Sequence, residues 1–422
     1  MNQSKVQILN EICMANSLEE SLILFNLHFD SLRGCKIVFG AKDGAMPGFS
    51  TNHNFSDGSV VRSLFSTDSV FVLDQETVND MRSGPATYPI DYSISMDTQA
   101  ISYLEPYIIG NKSRLPGDFE EIFKFISRKD VQVDPMPYVL ENLENLLEPK
   151  KAERIFEKIK AYEVLRTIDA EALEKLGIVQ STLSNAELMK SAQGLIASLY
   201  QDLCQPSIIK QVEFNFNFSY WHLLAMISIQ LSEPKSTTEA KLYKLIGMCD
   251  SELATISFRE ITIARSYFDR GQGLKFFGKV QKKRDDLFAI VRGMAWDMWH
   301  IKQMELNLTT RPRVGARYFF PSFLTCDKRL VEIIDLYPLK AFAYDQNDPT
   351  PMPFYGSNWI ESLSSSEEFG QEIGIKYFTD SARLSRDIRR DEAKRKMNSM
   401  VSELEARVAE IACISMRELV DF

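Results

Sequence analysis

Two segments of the chain run through β-forming residues into an acid and then directly into helix-forming sequence. The first is Tyr92-Ser93-Ile94-Ser95-Met96-Asp97, followed by a helical pattern carrying Ala100, Ile101 and Leu104. The second is 320–325, Cys326 and Asp327, followed by a helical stretch over 328–334. A strand ending in an acid places a carboxylate at the carboxyl edge of a sheet, where α/β folds put their sites. Two more acids lie between them on helical patterns. Glu260 follows a short β-like stretch, and Asp297 sits in a long, largely apolar helix among Ala295, Trp296, Met298 and Trp299. A carboxylate in such surroundings is costly to bury without a partner. Asp74 is a rival to Asp97, because it too closes a strand (69–73) and precedes a helix. The Asp97-Thr98 start favours Asp97.

Each acid also has a structural reading. Asp97 and Asp327 can serve as helix N-caps, with Lys328 and Arg329 as solvated charges. Glu260, with Asp250 and Glu252 nearby, can be a surface residue. His300 shares a helical face with Asp297, and it reads as a packed core histidine or as a group that orients an acid or meets a phosphate. Trp296 and Trp299 read as core, with base stacking the alternative.

Composition removes most other chemistries. The chain has 422 residues, 45% hydrophobic and 25% charged, with net charge −9. That is an ordinary globular profile of two or three domains at roughly 100–200 residues each. The acidic balance disfavours a protein that coats nucleic acid through a broad basic surface, but leaves room for one local basic groove. The six cysteines (Cys13, Cys35, Cys204, Cys249, Cys326, Cys413) are scattered without C-x-x-C, which fits free thiols in a reducing cytoplasm. H-E-x-x-H, a Walker loop and G-x-S-x-G are absent. The N-terminus has no signal-peptide pattern, and no apolar run of roughly 18 residues predicts a membrane span. Carboxylate chemistry remains.

The elements that must position these acids follow from patterning. Residues 1–66 read as helix and then irregular chain, with a strand at 35–41 and loop over 42–59. Residues 117–235 read as all-helical: Leu140, Leu143, Leu146 and Leu147, then Ile155, Ile159 and Tyr162, recur every three to four positions. Asp169 caps a helix that stops before Gly177, and Ser184 or Asn185 caps the run to Leu203. Residues 236–305 are helical again, 339–344 form a strand, and 346–358 form a loop. From about Asp380 the tail is a charged helix with Met397, Val401, Leu404, Val408 and Ile411 at heptad spacing.

At these acids the chain resembles the PIN-like nuclease family. Asp97-Thr98-Gln99 matches its opening strand and D-T-N-type turn, with Gln99 where Asn is usual. Glu260 and Asp297 match its second and helical acids, and Thr325-Cys326-Asp327-Lys328 matches its T-x-D-K ending. The resemblance covers 92–110 and 250–345. It implies an α/β fold with a parallel sheet flanked by helices, divided as an N-terminal extension (1–91), a core (92–116 and 236–345), a helical insertion (117–235) and a C-terminal loop and charged helix (346–422).

The resemblance further implies a hydrolase in which Asp97, Glu260, Asp297 and Asp327 are catalytic and hold Mg²⁺ or Mn²⁺ for phosphodiester cleavage, of RNA more than DNA. Clustered carboxylates repel and raise one another's pKa, a penalty that a hard divalent ion removes. Lys279, Lys282, Lys283, Arg284, Arg311, Arg313, Arg317, Lys328 and Arg329 could supply a groove for the strand. The tail from Arg383 to Lys396, with seven basic and three acidic residues, reads mainly as a solvated helix. Its heptad seam is expected to pack on its own domain or on a second copy. The alternative reading is a non-catalytic PIN-like or helical scaffold for a protein partner.

Overall fold

A computed structural model describes residues 3–45, 50–86, 88–203, 205–356, 363 and 366–414. Cys204 and positions 357–358 of the expected loop lie outside them. The chain divides into two compact units. One comprises 1–208, 301–331 and 338–356; the other comprises 209–300, 332–337 and 357–422. The protein is mixed α/β.

The first unit holds two sheets. One has the order β4-β1-β8-β9, formed by β1 (Cys35–Ala45), β4 (Val70–Leu73), β8 (Leu339–Asp345) and β9 (Asp348–Tyr355), all antiparallel. Helices α1 (Gln3–Met14) and α2 (Leu18–Leu27) cover it, packing Leu9, Ile12 and Phe25 against Ile37, Phe39 and Ala343. The other sheet has the order β2-β3-β7-β5-β6, from β2 (His53–Asn54), β3 (Val60–Arg62), β5 (Ile90–Met96), β6 (Val133–Asp134) and β7 (Tyr318–Thr325). Here β5 runs parallel to both β6 and β7, while β3 is antiparallel to β2 and β7. The expected all-parallel sheet is therefore mixed. The physical reason is the short connection between β2 and β3, which permits only an antiparallel hairpin.

Three local expectations change. Residues 1–91 supply β1 to β4 and so build both sheets, where an extension was expected. The block at 117–235 contributes strand β6, too short to leave a periodic signal, among α5 (Phe119–Ile126), α6 (Met136–Glu141) and α7 (Pro149–Arg166). Most of 346–358 is not loop but β9, turned back on β8 through Gln346 and Asn347, with Asn347 N–H donating to the Asp345 carboxylate at 2.9 Å. Pro351 and Pro353 argue against a central strand, but β9 is an edge strand, where missing N–H groups are tolerated.

Several caps behave as their sequence implies. Asp169 accepts from Ala172 N–H at 3.0 Å at the start of α8 (Ala170–Leu176), and Gly177 at φ +66° closes that helix in the left-handed region that favours glycine. Ser184 and Glu187 form a reciprocal capping box before α9 (Asn185–Leu203), with Ser184 N–H donating to Glu187 at 2.8 Å.

The second unit is helical. It draws on α10 (Pro206–Ser232), α11 (Thr238–Met248), α12 (Phe258–Arg270), α13 (Leu287–Asn307) and the long tail helix Asp380–Ala412. Trp221, Leu224, Ile246, Tyr267 and Trp299 are fully buried. Of the heptad seam, Met397, Val401, Leu404 and Val408 are buried within this unit. Glu405 fastens the same helix, accepting from Tyr220 Oη at 2.7 Å and Arg292 Nη2 at 3.1 Å. Those seam side chains are occupied within the chain itself. Among the described residues no helix is long and apolar enough to cross a membrane.

Candidate functional site

Strands β5 and β7 are neighbours in parallel register, Met96 opposite Leu324, and each ends in one of the expected acids. Beyond β5, Asp97 is the N-cap of α4 (Thr98–Ile108). Its Oδ1 accepts from Ala100 N–H, its Oδ2 accepts from Cys326 N–H at 3.2 Å, and its own N–H donates to Leu324 O at 3.0 Å. The carboxylate, 6% exposed, thus stitches the α4 start to the end of β7. Beyond β7, Asp327 accepts from Arg329 N–H at 2.8 Å and Nε at 2.9 Å, and also from Arg329 Nη2. Burial works to raise the Asp327 pKa, but the Arg329 hydrogen bonds and charge outweigh it and hold the carboxyl below its ordinary range.

Two further acids converge on this edge. Asp118, just before α5, accepts from Asp57 N–H and Ser59 N–H, each at 3.0 Å, and from Ser59 Oγ at 2.9 Å. Asp57 pairs with Lys328 at 2.8 Å. Cys326 sits among them. Burial pushes its thiol up, the Asp97 carboxylate adds to that, a Ser59 hydrogen bond opposes it, and Asp118 and Asp327 raise it further. The Tyr103 hydroxyl is raised by burial first, then by Cys326, Asp97 and Asp327. Both expected acids therefore act on the same two side chains, which marks a locally negative edge. Sequence reading missed Asp118 because Asp-x-x-Glu before an apolar run looks like a helix cap. Here the side chain leaves the cap position and holds the 57–59 turn instead.

Glu260 and Asp297 belong to the other unit. Glu260 lies in the first turn of α12 with no strand before it; the preceding backbone is a π-helical turn ended by Ala254 at φ +48°. It is fully buried, paired with Arg259 Nη2 at 2.9 Å, and it accepts from the Ser257 hydroxyl. Asp297 lies midway along α13 and is partly buried. His300 is 4% exposed, with its ring between Trp296 at 6.0 Å and Trp299 at 5.4 Å, the packed arrangement. Trp299 is buried and Trp296 packs on Phe216 at 4.7 Å.

The rival Asp74 caps α3 (Gln75–Ser83), accepting from Thr77 N–H, and takes the Tyr318 hydroxyl at 2.6 Å. Buried Lys36 stands over the Tyr318 ring at 4.5 Å. Burial lowers the Lys36 pKa, and the Asp74 and Glu76 carboxylates oppose that.

Much of the basic set is already engaged. Arg317 pairs with Glu76 at 2.9 Å and Asp80 at 2.8 Å. Arg386 and Arg389 hold Asp250 at 2.9 and 3.3 Å. Among the described residues no group of three or more His, Cys, Asp or Glu is placed to hold a metal ion.

A site the sequence did not flag lies beside the edge strand β6. Asp134 Oδ2 accepts from the hydroxyls of Ser93 and, at 3.0 Å, Ser95; its Oδ1 accepts from Met136 N–H at 3.0 Å. Burial pushes this carboxyl up, against those hydrogen bonds. The available signal is the Asp134-Pro135 pair, a break inside otherwise helical sequence. No protein-family model, curated protein or solved structure matches the chain.

Proposed function

We propose that the chain is a metal-dependent nuclease of PIN-like type, acting on RNA in preference to DNA, with its reactive edge at Asp97 and Asp327. The observation that carries this reading is the parallel pairing of β5 and β7, each delivering an acid at its carboxyl end. The preference for RNA comes from the family resemblance alone.

The donor chemistry at this edge suits a hard cation. An ionised carboxylate offers about four lone-pair sites, and hard divalent ions take oxygen ligands of this kind. Asp97 and Asp327 would hold Mg²⁺ or Mn²⁺; Glu260 and Asp297, which lie in the other unit, are left out of this reading. A bound ion there lowers the pKa of water and offsets phosphate charge. Asp327 must first release Arg329, whose planar fork matches phosphate as well as carboxylate. Arg329 would then be a positioning group, neutralising Asp327 in the resting chain and turning to the strand when substrate enters.

The second reading is a non-catalytic scaffold. It is favoured by the same hydrogen bonds, since Asp97 and Asp327 both serve protein donors. Titration of Mn²⁺ or Mg²⁺ followed by thermal melting separates the two. The nuclease reading expects a rise in melting temperature that saturates with metal and disappears in Asp97→Asn, together with metal-dependent cleavage of single-stranded RNA. A melting temperature indifferent to both ions, with intact RNA, would leave the scaffold.

A further inference from the structure

A pocket of ≈ 880 Å³ opens beside β6 in the first unit, within the roughly 300–1,000 Å³ typical of small-molecule sites. Its lining carries four cations, Arg128, Lys129, Arg166 and Arg313, against one acid, Asp134. That balance runs opposite to the chain as a whole, whose net charge is −9.

The acids that anchor the arginines stand outside the lining. Glu163, 2% exposed, takes Arg166 Nη1 at 3.2 Å and Ser191 Oγ at 2.5 Å. Asp130 takes Arg128 Nε at 3.0 Å, and Asp91 takes the Arg313 backbone N–H at 3.0 Å, with the Arg313 Nε 3.8 Å away. Arg166 is thereby fixed from behind while its side chain remains 52% exposed, with its guanidinium 5.9 Å from the Tyr162 ring centre. Lys129 is exposed beside them. Donors held in place before a ligand arrives lose little freedom on binding.

The lone acid contributes little repulsion. Both Asp134 oxygens are taken by Ser93, Ser95 and Met136, and its burial favours the uncharged form. Leu165, Ile168, Leu195 and Leu199 add apolar wall. A guanidinium held in place and a second cation lining the same pocket, next to an apolar wall, suit a ligand with a dianionic head and an apolar or ring body.

We propose that this pocket binds a small organic phosphate monoester, its phosphate on Lys129 and Arg166 and its body against Leu195 and Leu199. The inference stands apart from the nuclease reading, because none of its residues lies at the Asp97–Asp327 edge.

The test is calorimetric titration of the full chain with three probes: AMP, adenosine and inorganic phosphate. AMP should saturate with a Kd below about 1 mM, which corresponds to roughly −4 kcal/mol. Adenosine and inorganic phosphate should each bind at least about tenfold more weakly, since each lacks one half of the recognition. Lys129→Ala, an exposed change that leaves the core intact, should weaken AMP by about tenfold, and Arg166→Lys should do likewise by removing the fork. Asp97→Asn should leave AMP binding unchanged even where it abolishes cleavage. A flat AMP isotherm, adenosine binding as tightly as AMP, an unchanged Kd in Lys129→Ala, or loss of AMP binding in Asp97→Asn would each overturn the proposal.

Discussion

Replacing Asp97 by Asn changes one atom and discriminates sharply. In the native chain two buried backbone N–H groups, those of Ala100 and Cys326, each donate to a different oxygen of this carboxylate. Asparagine offers one acceptor oxygen, so its amide NH₂ must face the second N–H, donor against donor. A lost hydrogen bond to a charged acceptor costs about 1.5–3 kcal/mol, with the stranded donor included. Removing a charge near Asp118 and Asp327 recovers only part of that, because Arg329 already neutralises Asp327 and Asp118 accepts three hydrogen bonds of its own. The net expectation is a loss of about 1–3 kcal/mol in the first unit. Sequence alone points the other way. If Asp97 only caps a helix, Asn caps equally well; if it only repels other acids, the variant gains stability. The assay is urea unfolding in chelator at neutral pH, followed by far-UV circular dichroism. Tryptophan fluorescence serves as an internal reference, since Trp221, Trp296 and Trp299 all fall in the other unit. A change below about 0.5 kcal/mol would refute the link from Asp97 to Cys326 as an energetic contact, because that lies below the net value of even an ordinary hydrogen bond.

Asp327 titrates below its ordinary value of 3.8 in the folded chain. Its contribution is therefore complete above the unfolded pKa and is lost as pH falls through the folded one. Arg329→Met should move the acid limb of the stability–pH curve to higher pH; an unmoved limb would show that the pair is energetically silent. Alkylation at pH 8, read by mass spectrometry, should modify exposed Cys413 first and leave Cys13, Cys249 and Cys326 at least about tenfold slower, since burial raises those thiols and the thiolate is the nucleophile. Equal rates at Cys326 and Cys413 would contradict the buried acidic edge. Leu404→Ala, at a site 4% exposed, should cost about 2–5 kcal/mol in the tryptophan-reported transition; no change would make the tail helix a loose appendage.

What the sequence makes legible follows the range of the interactions. Strand-then-acid-then-helix at Asp97 and Asp327 is local chemistry, a run of β-formers ended by a capping residue, and both elements stand where that pattern puts them. The caps of α8 and α9 are equally local. Pairing partners are not. Nothing near residue 60 announces that Val61 lies opposite Leu324, and β6 spans two residues whose strand character exists only because Ile94 and Ser95 lie alongside. Glu260 shows a different limit. Burial next to Arg259 and Ser257 is what a lone charge requires in a core, and sequence cannot distinguish that from a reactive acid. Asp118 and Asp134 stayed hidden because their partners, Ser59 and Ser93, lie 59 and 41 positions away.

The prolines of β9 also bear on what the four-stranded sheet can become. An open edge recruits other chains by offering alternating donors and acceptors along its length. Pro351 and Pro353 are two positions apart, so they remove successive donors from one side of the strand, while Phe342 and Ala343 on β8 still meet Pro353 and Met352 in register. The edge strand thus carries fewer donors than a strand of its length would otherwise have. At high concentration or during slow refolding, strand-by-strand polymerisation from this edge is therefore poorly templated. Replacing Pro349, Pro351 and Pro353 with threonine, which has high β-propensity, should turn a self-limited sheet into a seed for fibrils.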